Sequence, residues 1–171
     1  PNERVFCCSP SEHARRLSFS LSLCVRAKNQ KEYVAAEQHY REALALAAAR
    51  GADDTARASV AASAHNNLGL LLQNVYKDYV SAEAEFRLSI RARPSASAHC
   101  HLADLLADRR KHAAAEREYR NALRLDPDDA DVHMNLGVLF ERRREHEAAR
   151  REFRAALRLE PGHEHARKAL D

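Results

Sequence analysis

Glycine is scarce in this chain, four in 171 residues, and proline hardly commoner at five. So few turn signals, set against abundant Ala, Leu, Arg and Glu, leave a chain dominated by strong helix formers. The fold class they imply is all-α. Long apolar runs are missing too: the longest is the seven residues from Ala43 to Ala49, far below the roughly 20 that a bilayer span requires. The four cysteines, Cys7, Cys8, Cys24 and Cys100, contain no CxxC pair, and two are adjacent. They give neither a zinc pattern nor a disulfide framework, so a reducing, cytoplasmic compartment is expected. An excess of one charge is also lacking. With 28 basic and 25 acidic residues the net charge is +3, too balanced to imply a polyanionic partner.

Catalytic signals are missing as well. No Ser, His and Asp set, phosphate loop or pair of carboxylates with a pocket around it stands out. The expectation is a non-catalytic protein without cofactor, metal or small-molecule substrate. His99 with His101, and His163 with His165, are two residues apart and point to different helix faces, which makes them poor metal ligands. The segment from Arg15 to Val25 has a charged start and a short apolar stretch, but it sits inside a longer helical pattern without a small-residue cleavage site. It reads as helix rather than leader.

What the chain does have is a phrase that it repeats. "HNNLGLLL" opens at His65 and "HMNLGVLF" at His133, 68 residues later. Halfway between, the stretch from His99 to Pro127 aligns without a gap to the stretch from His133 to Pro161. Both carry Ala (Ala115, Ala149), an aromatic four later (Tyr119, Phe153), Ala three later (Ala122, Ala156) and Pro five later. Apolar residues at helical spacing, a charged turn and a second apolar face describe a helical hairpin closed by proline. One such hairpin cannot bury its own face, so neighbours must stack.

This 34-residue pattern resembles the tetratricopeptide repeat. Residues 130–163 match it at Leu136, Gly137, Phe140, Ala149, Phe153, Ala156 and Pro161. Residues 96–129 match at Leu102, Leu106, Ala115, Tyr119, Ala122 and Pro127, with Ala103 in place of Gly. Residues 62–95 keep Leu68, Gly69, Leu72, Ala82, Phe86, Ser89 and Pro94, with one extra residue in the inner turn. A divergent first unit, 11–50, shows Leu23, Tyr33, Ala36, Tyr40 and Ala43 and lacks the Pro. Residues 51–61 are read as a linker and helix extension, with Gly51 stopping one long helix and Asp54 or Thr55 capping the next. Such lengthened repeats resemble those of kinesin light chains. The remaining pieces are a tail, 1–10, and the start of a truncated capping helix, 164–171. The resemblance implies a right-handed superhelical solenoid of about four hairpins. The opening at Pro1 and the unfinished last helix lead us to expect a longer protein, with the solenoid continuing or self-associating at this end. The family carries Gly in the inner turn, where this chain places Lys31, Lys77, Arg110 and Arg144.

The family's use implies a concave groove, lined by the first helix of each pair, that holds an extended peptide or a partner helix. Residues matching the groove positions are Asn67, Leu70, Gln73 and Asn74; His101, Asp104, Ala107 and Asp108; and Asn135, Val138, Glu141 and Arg142, with Ser22 as the first-unit equivalent. Asn67, His101 and Asn135 resemble the asparagine ladder of the O-linked N-acetylglucosamine transferase superhelix, with His for the middle Asn. An amide can both donate to and accept from an extended backbone whatever its sequence. The Lys and Asn clamp of chaperone-binding members is absent, its places taken by Leu21, Asn66 and Cys100, with Asp131 further on. Acidic residues in the later groove suit a neutral or basic peptide.

Arg109, Arg110 and Lys111, then Arg142, Arg143 and Arg144, fall in equivalent turns and would line one basic edge with Lys28, Lys31 and Lys77. Such an edge could meet nucleic-acid phosphates, but no aromatics interleave to stack on bases. His65, His99 and His133 recur at the period and are read as interhelix packing. "RRLS" (Arg15 to Ser18) resembles a basophilic kinase site, in a helix that would hide Ser18. The function expected is a protein-interaction scaffold. The alternatives are the substrate-presenting arm of a larger enzyme such as a glycosyltransferase and, behind it, an RNA-binding helical repeat.

Overall fold

The computed structural model describes residues 30–48 and 54–170. Expectations resting on 1–29 and 49–53 lie outside the described residues: the first helix of the first unit, three of the cysteines, Lys28, the kinase-like motif, Leu21, Ser22 and the Gly51 stop. Eight α-helices follow in order: α1 (Gln30–Ala48), α2 (Asp54–Leu71), α3 (Tyr79–Ala92), α4 (Ala96–Asp108), α5 (His112–Leu125), α6 (Ala130–Arg142), α7 (His146–Leu159) and the short α8 (Glu164–Lys168). There is no strand among the described residues. Helices pair as α2 with α3, α4 with α5 and α6 with α7, and the second helix of each pair packs on the first helix of the next. The result is a solenoid in which neighbours in sequence are neighbours in space.

Local chemistry sets the helix ends. Asp78, Ser95 and Asp129 accept from the backbone N–H three residues on, at 3.1, 3.3 and 3.0 Å, and so satisfy a donor with no intrahelical partner. The inner turns end in left-handed residues, Lys77, Arg110 and Arg144, with φ of 56, 58 and 62°. These are three of the four positions where the family pattern carries glycine. The fourth, Lys31, lies within α1 rather than in a turn. After α4 and α6 the chain reverses through Lys111 N–H to Leu106 C=O and Glu145 N–H to Phe140 C=O, at 2.8 and 2.9 Å. After α2 the bond runs from Asp78 N–H to Leu72 C=O, one residue longer. The extra residue widens the end of the helix into a π turn, Leu72–Tyr76, which keeps the reversal in register.

The core repeats with the sequence. Ala36, Tyr40 and Ala43 on α1, Ala82, Phe86 and Ser89 on α3, Ala115, Tyr119 and Ala122 on α5, and Ala149, Phe153 and Ala156 on α7 are all buried. Burying each ring contributes about 1.5–3 kcal/mol. In the two hairpins that carry glycine on their first helix, the ring lies over that glycine. A Cβ on Gly69 would sit 2.7 Å from Phe86 Cε1, and one on Gly137 would sit 2.4 Å from Phe153 Cε1. Ser89, standing where the other repeats have Ala, donates its hydroxyl to Ala62 C=O at 2.8 Å and so avoids an unpaired buried polar atom.

Two polar devices also recur. In each hairpin a histidine of the first helix meets a glutamate of the second: His65 Nδ1 with Glu85, His99 with Glu118 and His133 with Glu152, all at 2.7 Å. This is the interhelix packing expected of the three histidines. The second device joins hairpins. Glu37, Glu83 and Glu116 occupy one slot on α1, α3 and α5, and each pairs with an Arg four residues on, Arg41, Arg87 or Arg120, at 2.6–2.7 Å. Each also reaches the inner turn of the following hairpin. Glu37 accepts from Tyr76 Oη at 2.9 Å, Glu83 from Arg109 at 2.6 Å and Lys111 at 3.0 Å, and Glu116 from Arg143.

Burial raises the Glu83 carboxyl, but the Lys111 hydrogen bond and the charges of Arg87, Lys111 and Arg109 outweigh it and hold it below the usual range. A depressed carboxylate contributes stability that is present in full above the unfolded value, about 4.3 for Glu. That contribution is lost as pH falls through the folded value. Glu83→Gln should therefore cost about 1–3 kcal/mol at pH 7, and the gap to wild type should narrow below about pH 4. Urea titrations of both proteins across pH 3 to 7 check it.

Candidate functional groove

The first helices α2, α4 and α6, with the π turn, present the positions matched to a groove. Two clefts open along this face. The first, about 340 Å³, gathers Gln73 from the π turn, Asp104, Ala107 and Asp108 from α4, Asn135, Val138, Leu139 and Arg142 from α6, and Tyr119 from behind. The second, about 350 Å³, lies between α2 and the start of α4 and includes Asn66, Asn67, Ser89 and Arg93. Gln73, Asp104, Asp108 and Asn135 thus come together. Asn67 belongs to the neighbouring cleft, and His101 stands between the two. Asn74 and Glu141 are exposed and line neither.

The ladder residues are in three different states. Asn67 is only 6 % exposed, and its side chain has no hydrogen-bond partner among the described residues. His101 Nδ1 bonds Asn66 Oδ1 at 2.9 Å, with its ring against Phe86. Burial pushes the imidazole toward its neutral form, so the ring can bridge as donor and acceptor. Asn135 Nδ2 donates to Asp104 Oδ1 at 3.3 Å.

Asp104 is the centre of the first cleft. It accepts from Tyr119 Oη at 2.5 Å as well as from Asn135. Burial raises its carboxyl and Asp108 adds to the rise, against the Tyr119 hydrogen bond. Burial and the Asp104 charge raise the Tyr119 phenol in turn. Cys100 donates toward Asp104 Oδ2 at 4.0 Å, and burial, followed by the Asp104 charge, pushes its thiol up to about 12. A thiol held so high is not a thiolate at neutral pH, so Cys100 is not an activated nucleophile. Asp108 at the rim faces Arg142 at 3.6 Å, which offsets part of the acidity of this end.

The basic edge resolves into pairs. Arg109 and Lys111 hold Glu83, Arg143 holds Glu116 and Glu145, and Arg142 faces Asp108. Arg110 and Arg144 stand exposed in the left-handed turns. Sequence reasoning missed the glutamates that take up these cations. Their signal is there to read: Glu37, Glu83 and Glu116 each precede an Arg by four residues. No group of three or more residues able to hold a metal occurs among the described residues. No described helix is long and apolar enough to cross a membrane.

Residues 100–164 match the tetratricopeptide repeat family. No curated protein matches the chain. Among solved structures, MamA is 18% identical with a TM-score of 0.67, over 82% of this chain and 76% of its own. The TPR domain of Arabidopsis OM64 is 21% identical with a TM-score of 0.63, over 66% of this chain and 93% of its own. YrrB, described as a TPR protein with an unusual peptide-binding site, is 18% identical with a TM-score of 0.60, over 94% and 84%. With its own 34-residue period and its solenoid of stacked hairpins, the chain has the fold of tetratricopeptide-repeat proteins, and its residues 100–164 match that family.

Proposed function

We propose that the chain is a non-catalytic scaffold that docks an extended peptide, or a partner helix, in the groove formed by α2, α4 and α6. Units 62–95, 96–129 and 130–163 each contribute their first helix to that groove. The observation that carries the reading is the convergence of Gln73, Asp104, Asp108 and Asn135 from three successive hairpins on one cleft of about 340 Å³. Those groups can donate to and accept from a peptide backbone, and the pairing of Asn135 with Asp104 holds one amide in place for it. YrrB, a protein of the same fold, has a peptide-binding site by its own description, which supports this use of the face.

Peptides enriched from a display library on the wild-type protein supply the test. Asn67→Ala combined with Asn135→Ala should weaken such a peptide about tenfold or more, the loss of two hydrogen bonds at about 1 kcal/mol each. Thermal stability should change little. Parallel loss of binding and stability would reduce both residues to a structural role. Unchanged binding would move the partner off this groove.

A further inference from the structure

The cleft between α2 and α4 differs in chemistry from the one beside it. Serine hydroxyls at Ser59, Ser63 and Ser97 line it together with Asn67, and Arg93 is the single charged residue on its wall. We infer that this cleft seats a phosphate monoester, supplied by a phosphoserine or phosphothreonine side chain of a docked peptide. The source of the phosphate rests on the groove reading above, whereas the seat itself does not.

Three independent features converge there. Asn67 is 6 % exposed, lines the cleft and has no partner for its amide among the described residues. The Asn67 amide is not among the buried polar groups left unsatisfied, so it opens to the cleft it lines, and an oxyanion there would accept from it. Arg93 is held at the cleft by one guanidinium N–H donated to Ser59 Oγ at 3.1 Å; the rest of its five-donor fork remains for an anion. Helix α4, 13 residues long, begins at Ala96, between the wall residues Ser95 and Ser97, with Ser95 capping Ala98 N–H and no acidic residue in its first turn. The N–H groups of Ala96 and Ser97 precede the intrahelical ladder, and the helix dipole favours negative charge at that end.

Donor number separates phosphate from carboxylate. Arg93, the Asn67 amide, the hydroxyls of Ser63 and Ser97 and the helix end offer more donors than two carboxylate oxygens take up. Three terminal phosphate oxygens use them more fully. The next repeat supplies an internal contrast. Around the start of α6 the same register carries Asp126, Asp129 and Asp131, which would repel an anion. The groove therefore has a direction, with an anion seat beside α4 and an acidic cleft one repeat on.

Titration of the ¹⁵N-labelled protein with inorganic phosphate, at ionic strength held constant with chloride, tests the seat without any peptide. Saturable shifts are expected at the Ala96 and Ser97 backbone amides and the Asn67 side-chain amide, with a Kd on the order of 1 mM. The amides of Ala130 and Asp131 should stay put. Arg93→Ala should weaken binding about tenfold or more. Ser97→Asp should abolish it without loss of thermal stability, because it only installs the acidic residue that the next repeat carries at Asp131. A phosphoserine peptide should shift the same amides, and its serine counterpart should not.

Non-saturable shifts, equal shifts at the start of α6, or indifference to Arg93→Ala would overturn the seat. Binding of inorganic phosphate without any response to phosphoserine would overturn the peptide as its source. If display-selected peptides dock while phosphate leaves Asn67 unmoved, the seat fails and the groove reading stands; the opposite pattern separates the two the other way.

Discussion

Leucine in place of Gly137 should destabilise the C-terminal hairpin by about 3 kcal/mol or more, at the upper end of what overpacking costs. A single Cβ there already falls 2.4 Å from Phe153 Cε1. Phe153 is fully buried and has no empty space to rotate into, so leucine must force α6 and α7 apart. Gly137→Ala should be milder, about 1 kcal/mol, since the repeat before it already accommodates Ala103 beside Tyr119 and alanine recovers helix propensity. Gly162→Leu is the control, because a Cβ there would meet nothing within 4 Å. It should change stability by less than about 0.5 kcal/mol. Urea unfolding followed by circular dichroism ranks the three. In a chain of stacked repeats the leucine variant should open from the α6–α7 end before the rest unfolds. Equal effects of leucine at 137 and at 162 would mean that the ring does not rest on the glycine.

Glycine placed together at Lys77, Arg110 and Arg144 should have the opposite sign. Each residue holds the left-handed conformation, at φ of 56, 58 and 62°, which costs a residue with a Cβ about 1–2 kcal/mol. Glycine removes that cost but carries extra freedom in the unfolded chain, worth about 0.5–1 kcal/mol. The net gain is about 0.5–1 kcal/mol per site, or about 2 kcal/mol for the three together. That is a rise in thermal midpoint of about 4–8 °C for a chain of this size. The inter-hairpin pairs made by Arg109, Lys111 and Arg143 stay intact in this variant. A stabilised triple variant that also keeps its groove ligands would show that the turns serve folding alone.

The sequence made these turns legible because a family position reserved for glycine was occupied by cations, and the backbone keeps the conformation despite them. The small-aromatic-small pattern was legible for the same reason: Ala149, Phe153 and Ala156 fall at helical spacing that leaves them one face. Other features were hidden. The surplus residue at the inner turn could be read from the sequence, but not that the end of the helix would widen into a π turn, Leu72–Tyr76, to absorb it. Strings of Arg look like an exposed basic edge when read alone. Only the fold brings Glu83 and Glu116 from the preceding hairpin against Arg109 and Arg143. The groove was hardest to read. Asn67, His101 and Asn135 are equivalent by register, yet one opens to its own cleft, one is tied to Asn66 and one to Asp104. Register fixes where a side chain starts; the neighbours on the next helix decide what it is free to bind.

Under the proposed function, partners dock along the faces of α2, α4 and α6. Its most direct test is an amide chemical-shift map of the ¹⁵N-labelled protein on addition of a display-selected peptide. A continuous track of shifts through Asn67, Gln73, Asp104, Asp108 and Asn135 is expected, with the turns at Arg110 and Arg144 unmoved. Shifts centred on Arg110 and Arg144, with that track silent, would contradict it and place the function on the edge of the solenoid.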